Sequence, residues 1–459
     1  MHDDIIKLLN IKDENIIISK IEIVGTNKNI YISKKLESVF CPLCNCRMHS
    51  KGIYTREVNH PILQDGFRLT LFVDQRKWKC TNKDCNHYQN DEFAFVEKFK
   101  QSTNLTPYMI IFEMKNLNAS AAQVARRFNV SDTYVHYTFQ RYIDLPRLPL
   151  PEYLSIDEVY LDFDNTNRYC LILMDFLTGD IVDILPNRND KTTRKYFKSI
   201  SKEERNNVKF LICDMYNPYI NYTFKYFRNA VAIVDSFHVI KWILNKINQY
   251  INKVKKKYQE RDEKELEELN KKTNKENKTK AVSNEVYLLN NHKWALLKNE
   301  EHIEYSLKRK LNRKLKMYMD TYDLEKAFLA LDEKFPIIRK YKEKYITFNN
   351  TIFKDDEDIE AKLNILIKEY KASELQMFIE FADLLAKYKN EIIRSFTRIP
   401  KINKGNEREE ILRRLSNGPM EGFNRGPKDL KRQSRGFSNF EYTRNRILWS
   451  SRDNAPVLA

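Results

Sequence analysis

Three acidic residues stand in sequence contexts that would let them hold metal ions together. Asp157 lies inside a strand-like run, Asp214 ends a second apolar run, and Glu421 opens a basic, helix-prone segment. Two divalent cations about 3.5–4 Å apart can activate an oxygen nucleophile and relieve the charge on a leaving oxygen. Mg²⁺ prefers oxygen ligands and keeps several waters, so three carboxylates can hold the pair. We therefore predict that these acids bind two Mg²⁺ or Mn²⁺ ions for phosphoryl transfer, with Asp157 bridging them.

Three further residues are auxiliary candidates for this site: Asp235, His238 and Asn424. Asp235 ends an apolar run, as Asp214 does, and it could support Asp214 or take its place. A single acidic residue on a strand is more often a surface residue. Glu158 follows Asp157 directly, so its side chain should point to the opposite face of the strand. We expect Glu158 to be such a surface residue.

The segment around Glu421 is basic and fits a DNA backbone. Glu421, Asn424 and Lys428 are spaced to share one face of a helix. Further cations continue the segment: Lys431, Arg432 and Arg435. Such residues suit contact with phosphates. The alternative is a solvated basic tail, and Gly426–Pro427 could break the helix.

Four of the seven cysteines form two short-spaced pairs. The pairs are Cys41 with Cys44 and Cys80 with Cys85. Four thiolates on two tight turns satisfy one tetrahedral Zn²⁺, as in a zinc ribbon. The nearby Cys46, His49 and His87 leave the ligand set open, and four free thiols are the alternative. The role of such a ribbon could be structural, DNA-contacting or both.

The stretch after the cysteines has the pattern of a helix-turn-helix. Ala119–Phe128 is a short amphipathic helix, and either Ser131 or Asp132 can cap the next helix. In helix-turn-helix proteins the second helix enters the major groove. The candidate DNA contacts are Ser131, Thr133, His136, Tyr137 and Arg141. Small helical bundles without a DNA role show the same pattern.

Composition favours a polyanionic partner. The 459 residues carry a formal net charge of +17, which points to nucleic acid, the alternative being a solvated Lys-rich surface. The odd cysteine count indicates a reduced, cytoplasmic chain. No apolar run approaches the roughly 20 residues that span a membrane.

The order of the patterns predicts a multi-domain α+β protein. After a proline-rich linker at 145–151, three apolar runs precede a helix, two further apolar runs and a long helical stretch. This is the order of a ribonuclease-H-like α/β domain. The expected domains are an N-terminal β hairpin region (1–36), a zinc ribbon (37–100), a helix-turn-helix domain (101–145), a catalytic core (152–245 and 405–450) and an all-helical insertion (246–404).

In combination, these motifs resemble DDE transposases of bacterial insertion sequences, specifically the ISL-three family. Besides the cysteine pairs and the helix-turn-helix, the matching segments are Ser155–Glu158, Cys213–Tyr219, Asp235–His238, Tyr287–Leu297 and Asn417–Arg432. The resemblance implies a ribonuclease-H-like core that a helical insertion interrupts before the last acid. By this likeness Asp157, Asp214 and Glu421 carry over as the metal-binding triad.

The resemblance also implies an activity and partners. Such a protein would bind the terminal inverted repeats of its element, hydrolyse one strand at each end and join the freed 3′-hydroxyl to target DNA. Two ends call for at least a homodimer on the DNA, and the place of action would be the bacterial nucleoid. Two alternatives are a structure-specific nuclease or resolvase on the same core, and a non-catalytic DNA-binding regulator that uses only the first 145 residues.

Overall fold

The chain folds as a mixed α/β protein in two compact units. The computed structural model describes residues 2–13, 15–64, 67–163, 168–273, 282–402, 408–433 and 439–458. Unit 1 comprises Met1–Leu148, Val159–Cys170 and Asn424–Ala459, and unit 2 comprises Pro149–Glu158 and Leu171–Phe423.

The N-terminal part of unit 1 combines one sheet with four helices. Its elements are α1 (His2–Leu8), β1 (Ile16–Val24), β2 (Asn27–Lys34), β3 (Met48–Gln64), β4 (Phe67–Cys80), β5 (Tyr88–Asn90), α2 (Leu105–Glu113), α3 (Ala121–Phe128) and α4 (Asp132–Tyr142). The strand order is β1-β2-β4-β3, with β5 also paired to β4. Strands β1 and β2 form an antiparallel hairpin, and β2 pairs in parallel with β4. The expected hairpin region and the expected ribbon therefore share one sheet.

A second sheet lies mainly in unit 2. The strands of this sheet and the helices between them are β6 (Tyr153–Tyr160), β7 (Tyr169–Asp175), β8 (Ile181–Leu185), α5 (Asp190–Ser199), α6 (Lys202–Asn206), β9 (Phe210–Cys213), α7 (Asn217–Ile220), α8 (Tyr222–Lys225) and β10 (Val231–Val234). The strand order is β10-β9-β6-β7-β8. Strands β6, β9 and β10 run parallel, whereas β7 and β8 form an antiparallel pair. The side chains of β8 are all buried, which explains its nearly continuous apolar sequence.

The long insertion is mainly helical. It contains α9 (Ser236–Thr273), α10 (Asn284–Asn291), α11 (Trp294–Leu297), β11 (Lys310–Asn312), β12 (Met317–Met319), α12 (Thr321–Leu329), α13 (Phe335–Asn350), α14 (Asp356–Lys371), α15 (Gln376–Lys387) and α16 (Lys389–Arg394). The expectation of an all-helical insertion is wrong, because β11 and β12 pair as an antiparallel hairpin. Buried aromatic side chains, among them Tyr345, Tyr370 and Phe381, pack between the helices. None of the helices in the described ranges has the length and apolarity to cross a membrane.

The C-terminal segment contributes residues to both units. Its elements are β13 (Arg398–Ile402), β14 (Arg408–Arg414), α17 (Gly418–Phe423), α18 (Arg425–Gln433) and α19 (Phe440–Ser451). The prediction that Glu421, Asn424 and Lys428 share one helix face is wrong, because the helix is interrupted at Asn424. Pro427 lies in the first turn of the new helix α18, where its missing N–H costs no helical hydrogen bond.

Within unit 1, helix α19 contacts α2, α4 and the loop between α2 and α3. The Tyr442 ring contacts Phe139 of α4, with centroids 5.3 Å apart. Trp449 Nε1 donates to the carbonyl of Ile111 at 2.9 Å. The buried Arg446 donates to the carbonyls of Asn116 and Ala119 at 2.7 and 2.9 Å. Residues 424–459 thus belong to the same unit as the N-terminal region, whereas the sequence placed 405–450 in the catalytic core.

Candidate active site

Three aspartates meet at one level of the sheet in unit 2. Asp214 directly follows β9, and Asp235 directly follows β10. The register pairs Val234 with Cys213, so these two aspartates lie side by side. Strand β6 pairs Ser155 with Ile212, which brings Asp157 level with Asp214. Because these strands are parallel, Asp214 and Asp235 follow their strands on the same edge, level with Asp157 inside β6.

Asn417 brings the third predicted acid to this edge. Its Nδ2 group donates to the carbonyl of Ile156 at 3.3 Å and to Oδ1 of Asp214 at 3.4 Å. The backbone N–H of Glu421 in turn donates to the carbonyl of Asn417 at 2.9 Å. One fully buried side chain therefore links the segment of Glu421 to two strands of the sheet. The sequence analysis did not single out Asn417, and only its position in the Asn417–Arg432 segment marked it.

His238 lies between two of the acids. It occupies the first turn of α9, and its backbone N–H donates to the carbonyl of Asp235 at 3.1 Å. Its Nε2 atom is 2.8 Å from Oδ1 of Asp214 and 4.0 Å from Oε1 of Glu421. The structure thus brings together Asp157, Asp214, Asp235, His238 and Glu421. Asn424, the remaining auxiliary candidate, is buried in unit 1.

The clustered carboxylates perturb one another. Burial and the negative charge of Asp214 raise the pKa of Asp157 to about 7. Burial likewise raises the pKa of Asp235, although the N–H of Phe237 opposes the shift. For His238, burial disfavours the charged form, but the hydrogen bond to Asp214 and the surrounding negative charges outweigh it and raise the pKa. A site with this surplus of negative charge favours a bound cation.

The donor atoms fit a divalent cation. Asp235 is 1% exposed, and within the described residues its Oδ2 atom has no hydrogen-bond partner. Asp235, His238 and Glu421 each offer one ligand atom, and these three atoms lie within 4.8 Å of one another. A buried carboxylate oxygen without a partner is unfavourable unless a cation compensates it. These residues could therefore hold a metal ion.

Glu158 is not the surface residue that the sequence predicted. It forms an ion pair with Arg188 and accepts a hydrogen bond from the hydroxyl of Tyr219. The guanidinium of Arg188 also lies over the ring of Tyr216, 5.3 Å from its centroid. These contacts tie the turn after Asp214 to strand β6, and they therefore support the position of that acid.

The four paired cysteines converge in unit 1. Ligand atoms of Cys41, Cys44, Cys80 and Cys85 lie within 4.8 Å of one another. The Sγ–Sγ distances are 3.6 Å for Cys41–Cys85 and 3.4 Å for Cys44–Cys80. A hydrogen bond from the Cys46 backbone and contacts with the other thiols lower the pKa of Cys44 to about 6. This arrangement is compatible with structural zinc in a ribbon.

Tight turns follow both cysteine pairs. Asn45 and Asn86 have φ values of 56° and 45°, in the left-handed region that asparagine tolerates. The N–H of Asn45 donates to the carbonyl of Cys41 at 2.9 Å. Within the part of the chain that the structure describes, Cys46, His49 and His87 are not members of this four-cysteine cluster.

Helices α3 and α4 form the predicted helix-turn-helix, and its candidate DNA contacts lie on α4 and its N-cap. Ser120 caps α3 through a capping box with Gln123, and Asn129 ends it with φ 53°. Ser131 is the N-cap of α4 and accepts from the N–H of Tyr134 at 3.1 Å. The side chains of Thr133, Tyr137 and Arg141 are exposed. His136 is exposed as well, and its ring contacts Tyr442 of α19, with centroids 5.1 Å apart.

The predicted basic stripe after Glu421 is partly neutralised within unit 1. Lys428 is exposed. The Lys431 ammonium lies 3.9 Å from the centroid of the Tyr160 ring and 3.4 Å from Asp162. Arg432 pairs with Asp429 at 3.0 Å. Arg435 lies outside the described residues.

Comparison with known proteins agrees with the sequence motifs. The family model DDE_Tnp_ISL3, described as "Transposase", matches residues 154–447, well over half of the chain. The chain is also 22% identical over 222 residues to the transposase for insertion sequence element IS1001 of Bordetella parapertussis. That alignment covers 47% of this chain and 53% of the relative, so the chain spans about half the length of the curated relative that it matches. The chain therefore belongs to the ISL3 family of DDE transposases.

Proposed function

We propose that the protein is a DNA transposase that cleaves and joins the ends of an insertion sequence with a ribonuclease-H-like core. The observation that carries the proposal is the convergence of Asp157, Asp214 and Glu421, which come from distant parts of the chain, on one edge of the sheet. Three parallel strands beside an antiparallel pair support the ribonuclease-H-like core. Family membership supports the reaction class.

In this proposal Asp157, Asp214 and Glu421 would hold two Mg²⁺ or Mn²⁺ ions. Bound cations would neutralise charge on the scissile phosphate and increase the nucleophilicity of the attacking oxygen. Asn417 keeps Asp214 and the Glu421 segment in place. Water would cleave one strand at each element end and leave a 3′-hydroxyl. That hydroxyl would attack a target phosphodiester in line, forming one bond as the target strand breaks.

Unit 1 would bind the DNA. The cysteine cluster would hold one structural Zn²⁺, and the exposed Thr133, Tyr137 and Arg141 of α4 would read base edges in the terminal inverted repeats. Lys428 and the other cations of α18 would contact the phosphate backbone. The net charge of +17 supports binding to double-stranded DNA. Since two ends are cut, we expect a homodimer or higher oligomer on DNA.

Alanine variants of the three acids test the proposal. Asp157→Ala, Asp214→Ala and Glu421→Ala are incubated with Mg²⁺ and a linear DNA that carries the inverted repeats flanking the reading frame. We expect loss of cleavage and of joining to a target plasmid, with binding to the ends retained. The control Glu267→Ala, on an exposed turn of α9, should cleave like the wild type. Wild-type cleavage by the three variants, or loss of end binding in all of them, would overturn the assignment.

The joining assay also separates a transposase from a nuclease on the same core. A transposase links the released 3′ end covalently to the target plasmid, whereas a nuclease or resolvase of the kind considered above leaves it free. Cleavage without joining by the wild-type protein would therefore favour the nuclease.

A further inference from the structure

A second set of metal donors overlaps the triad and differs from it in chemistry. The ligand atoms of Asp235, His238 and Glu421 lie within 4.8 Å of one another. Two of these donors are carboxylate oxygens, and the third is an imidazole nitrogen. Mg²⁺ favours all-oxygen surroundings with several waters. An imidazole nitrogen favours first-row transition metals, among which Mn²⁺ binds most weakly, over a hard cation such as Mg²⁺.

The state of Asp235 points independently to a bound cation. Its side chain is almost fully buried, its Oδ1 atom accepts from the N–H of Phe237 at 3.3 Å, and its Oδ2 atom lacks a hydrogen-bond partner within the described chain. Leaving such an oxygen buried without a partner is costly. A cation beside it would remove that cost.

The local backbone holds two of the donors on one turn. Asp235 immediately precedes α9, His238 lies in its first turn, and the hydrogen bond between their backbones is 3.1 Å long. Glu421 comes from α17, which Asn417 fixes against the sheet. The Nε2 atom of His238 also lies 2.8 Å from Asp214. When Nε2 binds a cation, its hydrogen must be absent, so the contact with Asp214 would no longer be a hydrogen bond.

We propose that Asp235, His238 and Glu421 form a cation position that selects a transition metal, such as Mn²⁺, over Mg²⁺. The proposal rests on the proposed function, since Glu421 is shared with the triad. In this proposal, His238 determines which metal the position prefers. Asp235 becomes a metal ligand in addition to Asp214.

Binding of Mn²⁺ to the full-length protein without DNA tests this position. Electron paramagnetic resonance measures free and bound Mn²⁺ during competition with Mg²⁺, and electron spin echo modulation detects ¹⁴N bonded to the bound ion. Thiolates are poor ligands for Mn²⁺, so the cysteine cluster does not interfere. In the wild type we expect nitrogen modulation and a clear preference for Mn²⁺.

His238→Gln should abolish the nitrogen modulation and reduce the preference for Mn²⁺ over Mg²⁺ by about tenfold or more. Asp235→Asn should retain the modulation but weaken Mn²⁺ binding. Glu267→Gln, on an exposed turn of α9 and outside the trio, is the control and should keep the modulation. Circular dichroism of each variant checks that it folds.

The proposal is overturned if bound Mn²⁺ shows no nitrogen modulation in the wild type. It is equally overturned if folded His238→Gln or Asp235→Asn binds Mn²⁺ like the wild type. These outcomes are independent of DNA cleavage. Retained cleavage by Asp157→Ala would instead overturn the proposed function, and the metal preference would stand.

Discussion

The Nδ2 atom of Asn417 lies 3.4 Å from Oδ1 of Asp214, although the two residues are 203 positions apart in the chain. The same atom is 3.3 Å from the carbonyl of Ile156, next to Asp157, and the Asn417 carbonyl accepts from the N–H of Glu421. One amide side chain thus connects the neighbourhoods of all three predicted metal ligands. Substitution of a residue that positions catalytic groups in this way should reduce activity by more than the accompanying loss of stability explains.

Asn417→Ala is expected to reduce DNA cleavage by about 100-fold, because small displacements of catalytic groups are costly. It should also lower the free energy of unfolding by roughly 1–3 kcal/mol, since buried polar partners lose their hydrogen bonds. Nicking assays and urea denaturation measure the two effects. The neighbouring Ser416→Ala is the control. Full cleavage by a folded Asn417→Ala variant would contradict the positioning role.

Asp157 should make the stability of the Mg²⁺-free protein depend on pH. Its pKa is raised to about 7 by burial and by Asp214, whereas an aspartate in an unfolded chain has a pKa of about 3.9. Between these values the folded protein binds more protons than the unfolded chain, so the free energy of unfolding falls as pH rises. Asp157→Asn removes this effect.

We therefore expect Asp157→Asn to be more stable than the wild type at pH 8, with the difference shrinking towards pH 4. Urea denaturation in Mg²⁺-free buffer across this range measures it. The exposed control Glu267→Gln should show no such trend. A stability difference that grows as pH falls would show that the sign of the Asp157 shift is wrong.

The cysteine cluster predicts a specific zinc requirement. Cys44→Ser removes one of the four clustered thiols, so purified protein should lose its equivalent of Zn²⁺ and melt at a lower temperature. Cys46→Ser is the matched control, because Cys46 is close in sequence but outside the cluster. Metal analysis by mass spectrometry and thermal melting distinguish the variants. Loss of zinc only in Cys46→Ser would refute the ligand set.

Two neighbouring residues of α4 should behave differently. Tyr137 is 55% exposed, so Tyr137→Ala is expected to weaken discrimination between element-end DNA and scrambled DNA by the ~1–3 kcal/mol typical of a base contact. His136→Ala should chiefly lower the melting temperature, since its ring packs on Tyr442. Gel-shift titrations with both DNAs give the comparison. Equal discrimination by Tyr137→Ala and the wild type would exclude that side chain from sequence reading.

Substitution of Arg446 tests whether the C-terminal helix α19 stabilises the N-terminal helices. Its buried guanidinium bonds two carbonyls of the loop between α2 and α3, and burial lowers its pKa to about 10. Arg446→Met should lower the free energy of unfolding by roughly 2–4 kcal/mol, because those carbonyls lose a charged donor. Limited proteolysis should then cut within α2–α4. The exposed Arg432→Met serves as control, and equal stability of both variants would argue against this coupling.

The sequence by itself determined the local features of this protein. The cysteine spacing, the cap of α4 and the aspartates at strand ends are short-range patterns, because turn geometry and strand periodicity act over a few residues. Those patterns made Asp157 and Asp214 candidate metal ligands, with Asp235 as an auxiliary candidate, before any fold was known. The family motifs along the chain then gave the reaction class that the family match supports.

Only the tertiary structure decided which distant segments meet. It placed Asn417 between two strands, put His238 beside Asp214, interrupted the helix at Asn424 and packed α19 on the N-terminal helices. It also paired Glu158 with Arg188 and Tyr219. Such contacts depend on the packing of whole elements across hundreds of residues, and propensity or spacing carries no information about them.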